Sequence, residues 1–271
     1  MHLILRIVIA IDLVASVLTA DRALANDRAE DFEHFISAAY PIFLAKVGLW
    51  ETSPSDREAL IKAAASGLSA VAPADCDGAK FKNDFCGMSM KTEPSSSMEP
   101  NIKAEEIFMT RPYLNDGPKR GDIIVFSHQS QTEKQPTLFV KRLIAVPGDQ
   151  VELRHGLISI NGKNLKQVPT NNSMTDIYGN RAKIFTETNL EGRQYEIAVT
   201  DKAPPGTDDV SPFTIPAGKY FVLGDNRHNS VDSRLPNLFG GDGLVSGTDI
   251  IGQAVVIFVS REPRRAGKII E

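Results

Sequence analysis

Residues 138–149 read LFVKRLIAVPGD, and this stretch indicates the type of fold. The first nine residues are apolar except for two basic side chains, which is typical of a buried β-strand, and a Pro-Gly turn then ends it. Because side chains alternate along a strand, Phe139, Lys141 and Leu143 share one face. A lysine there is either an edge-strand charge that discourages aggregation or an amine kept neutral for chemistry.

Short strands of the same kind lie on both sides of this stretch. Asp122–Phe126 precedes it, and Val151–Leu153, Leu157–Ile160, Tyr220–Leu223 and Ile250–Val259 follow it. Asn161-Gly162 adds the signal of a type I′ hairpin. Many short strands with frequent turns predict a mainly β protein with an antiparallel barrel or sandwich. The polar residues 165–213 predict an insertion of looser hairpins.

Size and charge restrict the function classes. The chain has 271 residues, enough for one large domain or two smaller ones. Its formal net charge of −4 leaves no basic excess for phosphates, so we expect no nucleic-acid partner.

Residues 1–25 combine one basic residue, Arg6, before an apolar region that Asp12 interrupts, and an Ala-x-Ala site at the end of the segment. This pattern is typical of a cleaved signal peptide, while an uncleaved membrane anchor and a buried N-terminal helix are the alternatives. The first two interpretations both place the remainder of the chain outside the cytoplasm.

Residues 26–87 have a helical pattern, with apolar residues at spacings of three and four. Pro41 is expected to kink or split the first helix. Ser53 and the proline after it predict the start of a second helix that ends near Val71. Cys76 and Cys86 predict a small disulfide loop in an oxidising compartment, or two ordinary thiols in the cytosol.

Residues 93–100 read EPSSSMEP. Prolines restrict the backbone on both sides of the serines, so the segment holds a hydroxyl in a fixed position. We expect Ser97 to attack an acyl carbon and Lys141 to accept its proton, because a serine needs a base to become a nucleophile. The amide of Ser97 and the hydroxyl of Ser95 are candidate donors to the oxyanion. The alternative is a Ser-rich linker.

Residues 224–234 read GDNRHNSVDSR and follow a predicted strand. Their side chains are of the kind that hydrogen-bond backbone in loops, so a surface turn is one interpretation. His228 is a candidate base in a Ser-His-Asp arrangement, which would leave Lys141 unexplained. We expect no metal here, because no second histidine lies at ligand spacing.

Four stretches, residues 94–100, 120–126, 141–149 and 224–234, together resemble bacterial type I signal peptidase in their content and order. The resemblance covers about 170 residues. It implies that Ser97 is the nucleophile, Lys141 the general base and Ser95 the oxyanion-hole hydroxyl. It further implies that Ser230 hydrogen-bonds and orients the lysine, and that Asp232 and Arg234 stabilise the site.

This chain departs from the family pattern beside the nucleophile and elsewhere. Ser96 replaces a usual glycine, while Glu99 and Asn101 flank Pro100 where apolar residues or threonine are common. Two further departures are Ala145 for glycine and His228 for aspartate. We expect Ser96 and Glu99 to affect substrate choice, since no catalytic group is lost.

The resemblance implies an endopeptidase that removes signal peptides from preproteins at the outer face of the bacterial inner membrane, without a metal or cofactor. Its catalytic core is mainly β, over residues 88–164 and 214–271, with a smaller β insertion at 165–213. The alternatives are a dedicated peptidase for a pilin or conjugation precursor, a self-cleaving repressor, and a non-catalytic periplasmic binding module. The export signal argues against the repressor.

Overall fold

The computed structural model describes residues 28–49, 51–114, 116–131, 134–175 and 179–271. The predicted signal peptide or anchor, residues 1–25, lies outside them. The chain forms two compact units. One contains the described residues up to Met88 together with Phe258–Lys268, and the other contains Ser89–Ile257 and Ile269–Glu271. Residues 258–268, placed in the catalytic core by the sequence analysis, thus group with the helical segment.

The first unit is helical. Residues 28–37 form helical turns (α1), followed by α2, Tyr40–Lys46; α3, Pro54–Val71; and α4, Gly78–Asp84, with short 3₁₀ turns at Phe85–Gly87 and Pro263–Arg265. The break before α2 places Pro41 in its first turn, where a proline is tolerated, so the predicted split is confirmed. Ser53 caps α3 through a hydrogen bond from Asp56 N, as predicted.

Aromatic packing holds this unit together. The rings of Phe32 and Phe81 stack with their centroids 3.9 Å apart. Tyr40 packs edge-on against Phe258, and its hydroxyl donates to the Phe258 carbonyl at 2.8 Å. The apolar stripe of the sequence is therefore core, because its rings meet inside the unit.

Cys76 and Cys86 form a disulfide that closes a loop around α4. The sequence analysis did not identify α4, although Asp77 caps it with a hydrogen bond from Lys80 N at 2.8 Å. The described part of the chain has no free cysteine.

The second unit is built from antiparallel strands. The strands are β1, Ser89–Thr92; β2, Ile107–Arg111; β3, Ile123–His128; β4, Thr137–Ala145; β5, Gln150–Arg154; β6, Leu157–Ile160; β7, Lys163–Asn164; β8, Lys166–Thr175; β9, Arg181–Thr188; β10, Gln194–Thr200; β11, Val210–Thr214; β12, Lys219–Leu223; β13, Val245–Ser246; and β14, Ile250–Val259. One short helix, α5, covers Pro236–Phe239, and a 3₁₀ turn covers Gly247–Asp249. The mainly β prediction is confirmed.

The strands form three sheets. The largest has seven strands in the order β1-β2-β14-β3-β4-β12-β13, while β11-β5-β6-β7 and β10-β9-β8 form sheets of four and three strands. Asn161 and Gly162 both have positive φ in the turn between β6 and β7, as a type I′ hairpin requires. The β8–β10 sheet is more regular than the looser hairpins predicted, and most β8 side chains face solvent, which explains their polarity.

β3 and β4 lie in the middle of the seven-stranded sheet and carry its core on both faces. Ile123 and Val125 pack in one apolar cluster with Met98, whereas Ile124 and Phe126 pack in a second cluster on the opposite face. Burial on both faces explains why β3 reads as an unbroken apolar run. Lys141 of β4 is directly opposite Ile124 in the strand register, so it lies beside a fully buried core residue.

Candidate active site

The serine segment follows β1 and is held by backbone pairing. Glu93 N donates to Glu106 O at 3.1 Å, and Glu105 N donates to Glu93 O at 2.6 Å. Further along, Asn226 N donates to Ser97 O at 3.0 Å. The segment is thus fixed at both ends, one by its own hairpin and the other by a distant loop.

Lys141 and Ser97 are in direct contact. Lys141 Nζ lies 2.8 Å from Ser97 Oγ and 2.9 Å from the carbonyl oxygen of Val140. Ser97 is 7% exposed and Lys141 is 4% exposed. The sequence prediction paired these two residues from separate stretches, and the structure brings their reactive atoms to hydrogen-bond distance.

Burial lowers the pKa of Lys141, because the ammonium form loses its hydration. The negative charges of Glu93, Asp232 and Asp225 oppose this shift, and the positive charge of Arg234 adds to it. Phe139 lies on the same side of β4, with its ring centroid 5.8 Å from Lys141 Nζ. The surroundings therefore favour the neutral amine that a general base must be.

Ser95 lies beside the nucleophile. Its Oγ is 3.1 Å from Ser97 Oγ, and the Ser97 amide points at it from 3.3 Å. The two predicted oxyanion donors are therefore neighbours, and in this structure the Ser97 amide donates to Ser95 Oγ. Ser95 has one further contact that the sequence did not reveal: its hydroxyl lies 2.5 Å from Glu93 Oε1.

The loop after β12 contains a buried ion pair. Asp232 and Arg234 form a bidentate contact, with Nε–Oδ1 and Nη2–Oδ2 distances of 2.8 Å. Desolvation acts to raise the pKa of Asp232, but Arg234 and the Gly224 amide hold the pKa below its usual value. Arg234 Nη2 also donates to the Arg227 carbonyl at 2.5 Å, so the pair supports the loop that carries Asn226.

Ser230 packs in the same loop but makes no hydrogen bond to Lys141. Its Oγ is buried near the Asp232 carboxylate, whose pKa it helps to lower, and has no partner at full hydrogen-bond geometry among the described residues. A Cβ on Gly224 would meet Ser230 Oγ at 2.3 Å and the Ser97 carbonyl at 2.6 Å. Ser230 thus contacts the turn that supports the nucleophile, while Lys141 donates to Val140 in place of the bond expected with Ser230.

Sequence reasoning assigned no role to Arg142 and Asp225, which form another buried ion pair. Arg142 Nε and Nη2 lie 2.7 and 2.8 Å from the two carboxylate oxygens of Asp225, and neither side chain is exposed. Arg142 also stacks on the Tyr195 ring at 3.8 Å. Both residues lie in the motifs quoted above, and Arg142 directly follows Lys141. Membership of these motifs was the only sign of a role that the sequence offered.

The departures from the family pattern have local structural explanations. Ser96 Oγ accepts from Asn229 Nδ2 at 2.6 Å, and Glu99 Oε1 accepts from Ala104 N at 3.3 Å. Asn101 Nδ2 donates to Asp225 Oδ2 at 2.7 Å. Because of these bonds, the side chains of Ser96 and Glu99 point toward the loops that support the site. Neither residue lines the groove described below.

His228 contacts Thr200 Oγ1 at 2.8 Å and Asp208 Oδ1 at 3.0 Å. Ser97 therefore contacts Lys141, whereas both ring nitrogens of His228 are bonded to other residues. This arrangement excludes the Ser-His-Asp alternative for Ser97.

A groove of 480 Å³ opens in front of Ser97. Its lining includes apolar side chains from β4 and from the loop after β12, among them the half-exposed Leu138 and Val231. Glu93, Ser95 and Lys141 also line it, so the candidate chemical groups and these apolar side chains face the same groove.

Comparison with known proteins agrees with this arrangement. The family model described as "Signal peptidase, peptidase S26" matches residues 86–259. The chain is 32% identical to signal peptidase I P of Bacillus subtilis subsp. natto over 175 residues, which is 64% of this chain and 77% of that one. It is 36% identical to signal peptidase I of Rickettsia canadensis (strain McKiel) over 150 residues, 53% of this chain and 52% of that one.

A solved signal peptidase I from Enterococcus faecalis V583 is 27% identical and covers 51% of this chain and 97% of its own, with a TM-score of 0.28. Because this score is low, the description of the fold rests on the strands given above and not on this superposition.

The family match and the relatives define a serine endopeptidase of the signal peptidase I type. The chain belongs to the signal peptidase, peptidase S26, family, and it cleaves signal peptides from preproteins. None of the described helices combines the length and apolarity that a membrane span requires.

Proposed function

We propose that Ser97 is the nucleophile and Lys141 the general base of this endopeptidase. The 2.8 Å contact between Lys141 Nζ and Ser97 Oγ, inside a buried site, is the observation that carries the proposal. Serine is a weak nucleophile until a base removes its proton, and a buried lysine is the nearest such base here.

The reaction then has two halves. Neutral Lys141 takes the Ser97 proton as Ser97 Oγ bonds to the scissile carbonyl carbon, and the resulting ammonium gives that proton to the departing amine as the C–N bond breaks. Lys141, neutral again, deprotonates a water molecule that attacks the acyl-enzyme. The C–O bond to Ser97 breaks, and Ser97 recovers a proton from the lysine.

The oxyanion of each tetrahedral intermediate forms in front of Ser97. The proposed donors are the Ser95 hydroxyl, whose Oγ is 3.1 Å from Ser97 Oγ, and the Ser97 amide, which lies 3.3 Å from Ser95 Oγ. Asp232 and Arg234 are proposed to hold the loop that bonds the Ser97 carbonyl, and Ser230 to fill the space beside Gly224.

The groove suits an extended peptide segment. Its apolar walls favour apolar side chains, and the family relationship implies a small residue beside the cut. We expect such a peptide to pair with an exposed strand edge. By the same family relationship, the site acts at the extracytoplasmic face of the inner membrane, on preproteins held by that membrane.

Preprotein cleavage tests the proposal. The full chain in detergent is incubated with a preprotein, beside Ser97→Ala, Lys141→Ala and the exposed control Ser211→Ala. We expect cleavage by the parent and the control, and a loss of at least about 10³-fold in the other two. Equal cleavage by all four proteins would overturn the proposal.

The pH profile is a second check on the same roles. We expect kcat/KM to rise with pH as Lys141 loses its proton, because the neutral form is the base. A profile that is flat from about pH 6 to 10 would argue against Lys141 in that role. A panel of preproteins, with a pilin precursor among them, separates general from dedicated processing.

A further inference from the structure

Glu93 is a buried acid directly beside the nucleophile segment. It is 3% exposed, and backbone hydrogen bonds to Glu105 and Glu106 fix its position. Its carboxylate oxygen Oε1 lies 2.9 Å from the Ser95 amide and 2.5 Å from the Ser95 hydroxyl. The mechanism above gives this group no task, although it lines the groove.

A chain of short contacts connects Glu93 to Lys141. Glu93 Oε1 is 2.5 Å from Ser95 Oγ, Ser95 Oγ is 3.1 Å from Ser97 Oγ, and Ser97 Oγ is 2.8 Å from Lys141 Nζ. A serine hydroxyl has one proton, and a carboxylate only accepts. The Ser95 proton therefore goes to Glu93, in a charge-assisted bond that is stronger than one between neutral groups.

This direction of donation opposes catalysis. A Ser95 hydroxyl that donates to Glu93 has no proton left for an oxyanion. The proton that Ser95 gives to Glu93 is also lost to Ser97 Oγ, the other acceptor toward which the Ser95 hydroxyl is oriented. Both effects follow from the single negative charge of the Glu93 carboxylate.

The charges that face Lys141 are those of Glu93, Asp232, Asp225 and Arg234. Asp232 is paired with Arg234, and Asp225 is paired with Arg142. Glu93 forms no ion pair within the described part of the chain, so its charge is not compensated by a cation. Among the charges that favour the ammonium form of Lys141, that of Glu93 is the largest.

We propose that Glu93 is a positioning residue that restrains the dyad, by holding the Ser95 proton and by stabilising the charged form of Lys141. The proposal rests on the roles proposed above for Ser97 and Lys141. It makes Glu93 the group that sets the pH at which this peptidase becomes active and the strength of its oxyanion hole.

Glu93→Gln separates charge from shape. The amide keeps the size of the side chain and removes the negative charge. Its oxygen can still accept from the Ser95 amide, but it accepts from the Ser95 hydroxyl only as a neutral and weaker acceptor. The Ser95 proton is then available to the oxyanion, and the ammonium form of Lys141 loses its largest support. Two further variants serve as controls. Glu93→Asp retains the negative charge, and Glu106→Gln removes a different buried carboxylate, which accepts a hydrogen bond from Lys103 N.

The test is the pH dependence of kcat/KM for preprotein cleavage by the full chain and these three variants. We expect the acid limb to move to lower pH in Glu93→Gln, with about tenfold higher kcat/KM on that limb. Glu93→Asp and Glu106→Gln are expected to keep the acid limb of the parent. An unmoved limb in Glu93→Gln, with thermal unfolding like that of the parent, would overturn the proposal.

Ser95→Ala, made in the parent and in the Glu93→Gln variant, gives an independent measurement. In the parent we expect Ser95→Ala to lower kcat by less than about tenfold, and in the Glu93→Gln variant by about 10²-fold. Equal losses in the two backgrounds would contradict the proposal. Ser97→Ala distinguishes the failures: an active Ser97→Ala defeats the proposed nucleophile, whereas an inactive one beside an unmoved Glu93→Gln limb defeats this inference alone.

Discussion

Gly224→Ala is expected to disable the site through one methyl group. The new Cβ would lie 2.3 Å from Ser230 Oγ, 2.4 Å from Ser230 Cβ and 2.6 Å from the Ser97 carbonyl oxygen. Ordinary contact begins at 3.4 Å, so the Ser97 carbonyl has to move by about 0.8 Å. A displacement of that size beside a reacting group lowers kcat by about 100-fold, and overpacking costs roughly 1–3 kcal/mol of the free energy of unfolding.

The assay is steady-state preprotein cleavage together with denaturant unfolding. Gly247→Ala is the matched control, because its new Cβ meets only the edge of the Tyr220 ring, at 3.2 Å, and then atoms at 3.5 Å or more. We expect the control to keep the parent's kcat. A Gly224→Ala enzyme with kcat within twofold of the parent would refute the idea that this turn fixes the nucleophile.

Three further results are expected. Arg142→Met leaves the Asp225 carboxylate buried without its cation, and equilibrium unfolding should show a loss of about 3–5 kcal/mol. Replacing Cys76 and Cys86 by serine opens a loop with a sequence separation of 10, and calorimetry should show its unit losing about 2.5 kcal/mol. Lys141→Met should be inactive yet more stable than the parent near neutral pH. Burial lowers the pKa of Lys141 in the folded protein, so near neutral pH the unfolded chain binds more protons at this lysine than the folded chain does. The parent's free energy of unfolding therefore rises with pH until the pH reaches the pKa that Lys141 has in the unfolded chain.

Each of these has a contrary outcome. An unchanged unfolding free energy in Arg142→Met would mean that Asp225 finds another partner or a proton at little cost. For the cysteine variant, the contrary result is a thermal transition identical to that of the oxidised parent. For Lys141→Met, it is a stability difference from the parent that stays constant as pH rises toward about 10.4, the usual pKa of lysine.

The central strands were predictable because their residues are apolar over their whole length. The run predicted from Leu138 to Val146 is β4, and the run ending at Phe126 is β3, because burial on both faces leaves a strong signal. β1 was not identified. It is short and partly exposed, and it contains both polar and apolar residues. Its strand conformation therefore depends on its pairing with β2 more than on the preferences of its own residues.

The candidate site divides in the same way. Ser97 and Lys141 could be paired from sequence because each lies in a distinctive setting, a Pro-bounded serine run and an apolar strand. The bond expected between Ser230 and Lys141 depends on side-chain direction, which the sequence does not determine. In the structure Ser230 Oγ packs against Gly224 and has no hydrogen-bond partner among the described residues. Glu93 had no signal of its own, since an acid before a proline is ordinary until its burial and its contact with Ser95 are known.

Locating the acyl group after reaction with an activated peptide ester tests the central claim most directly. The ester is added to the full chain, the reaction is quenched in acid, and the tryptic peptide of residues 92–103 is fragmented by mass spectrometry. That peptide contains all three candidate serines, so the fragments distinguish them. We predict the acyl group on Ser97, slow acylation in Lys141→Met, and none in Ser97→Ala. An acyl group on Ser95 or Ser96, or acylation of Ser97→Ala at the parent's rate, would contradict the assignment.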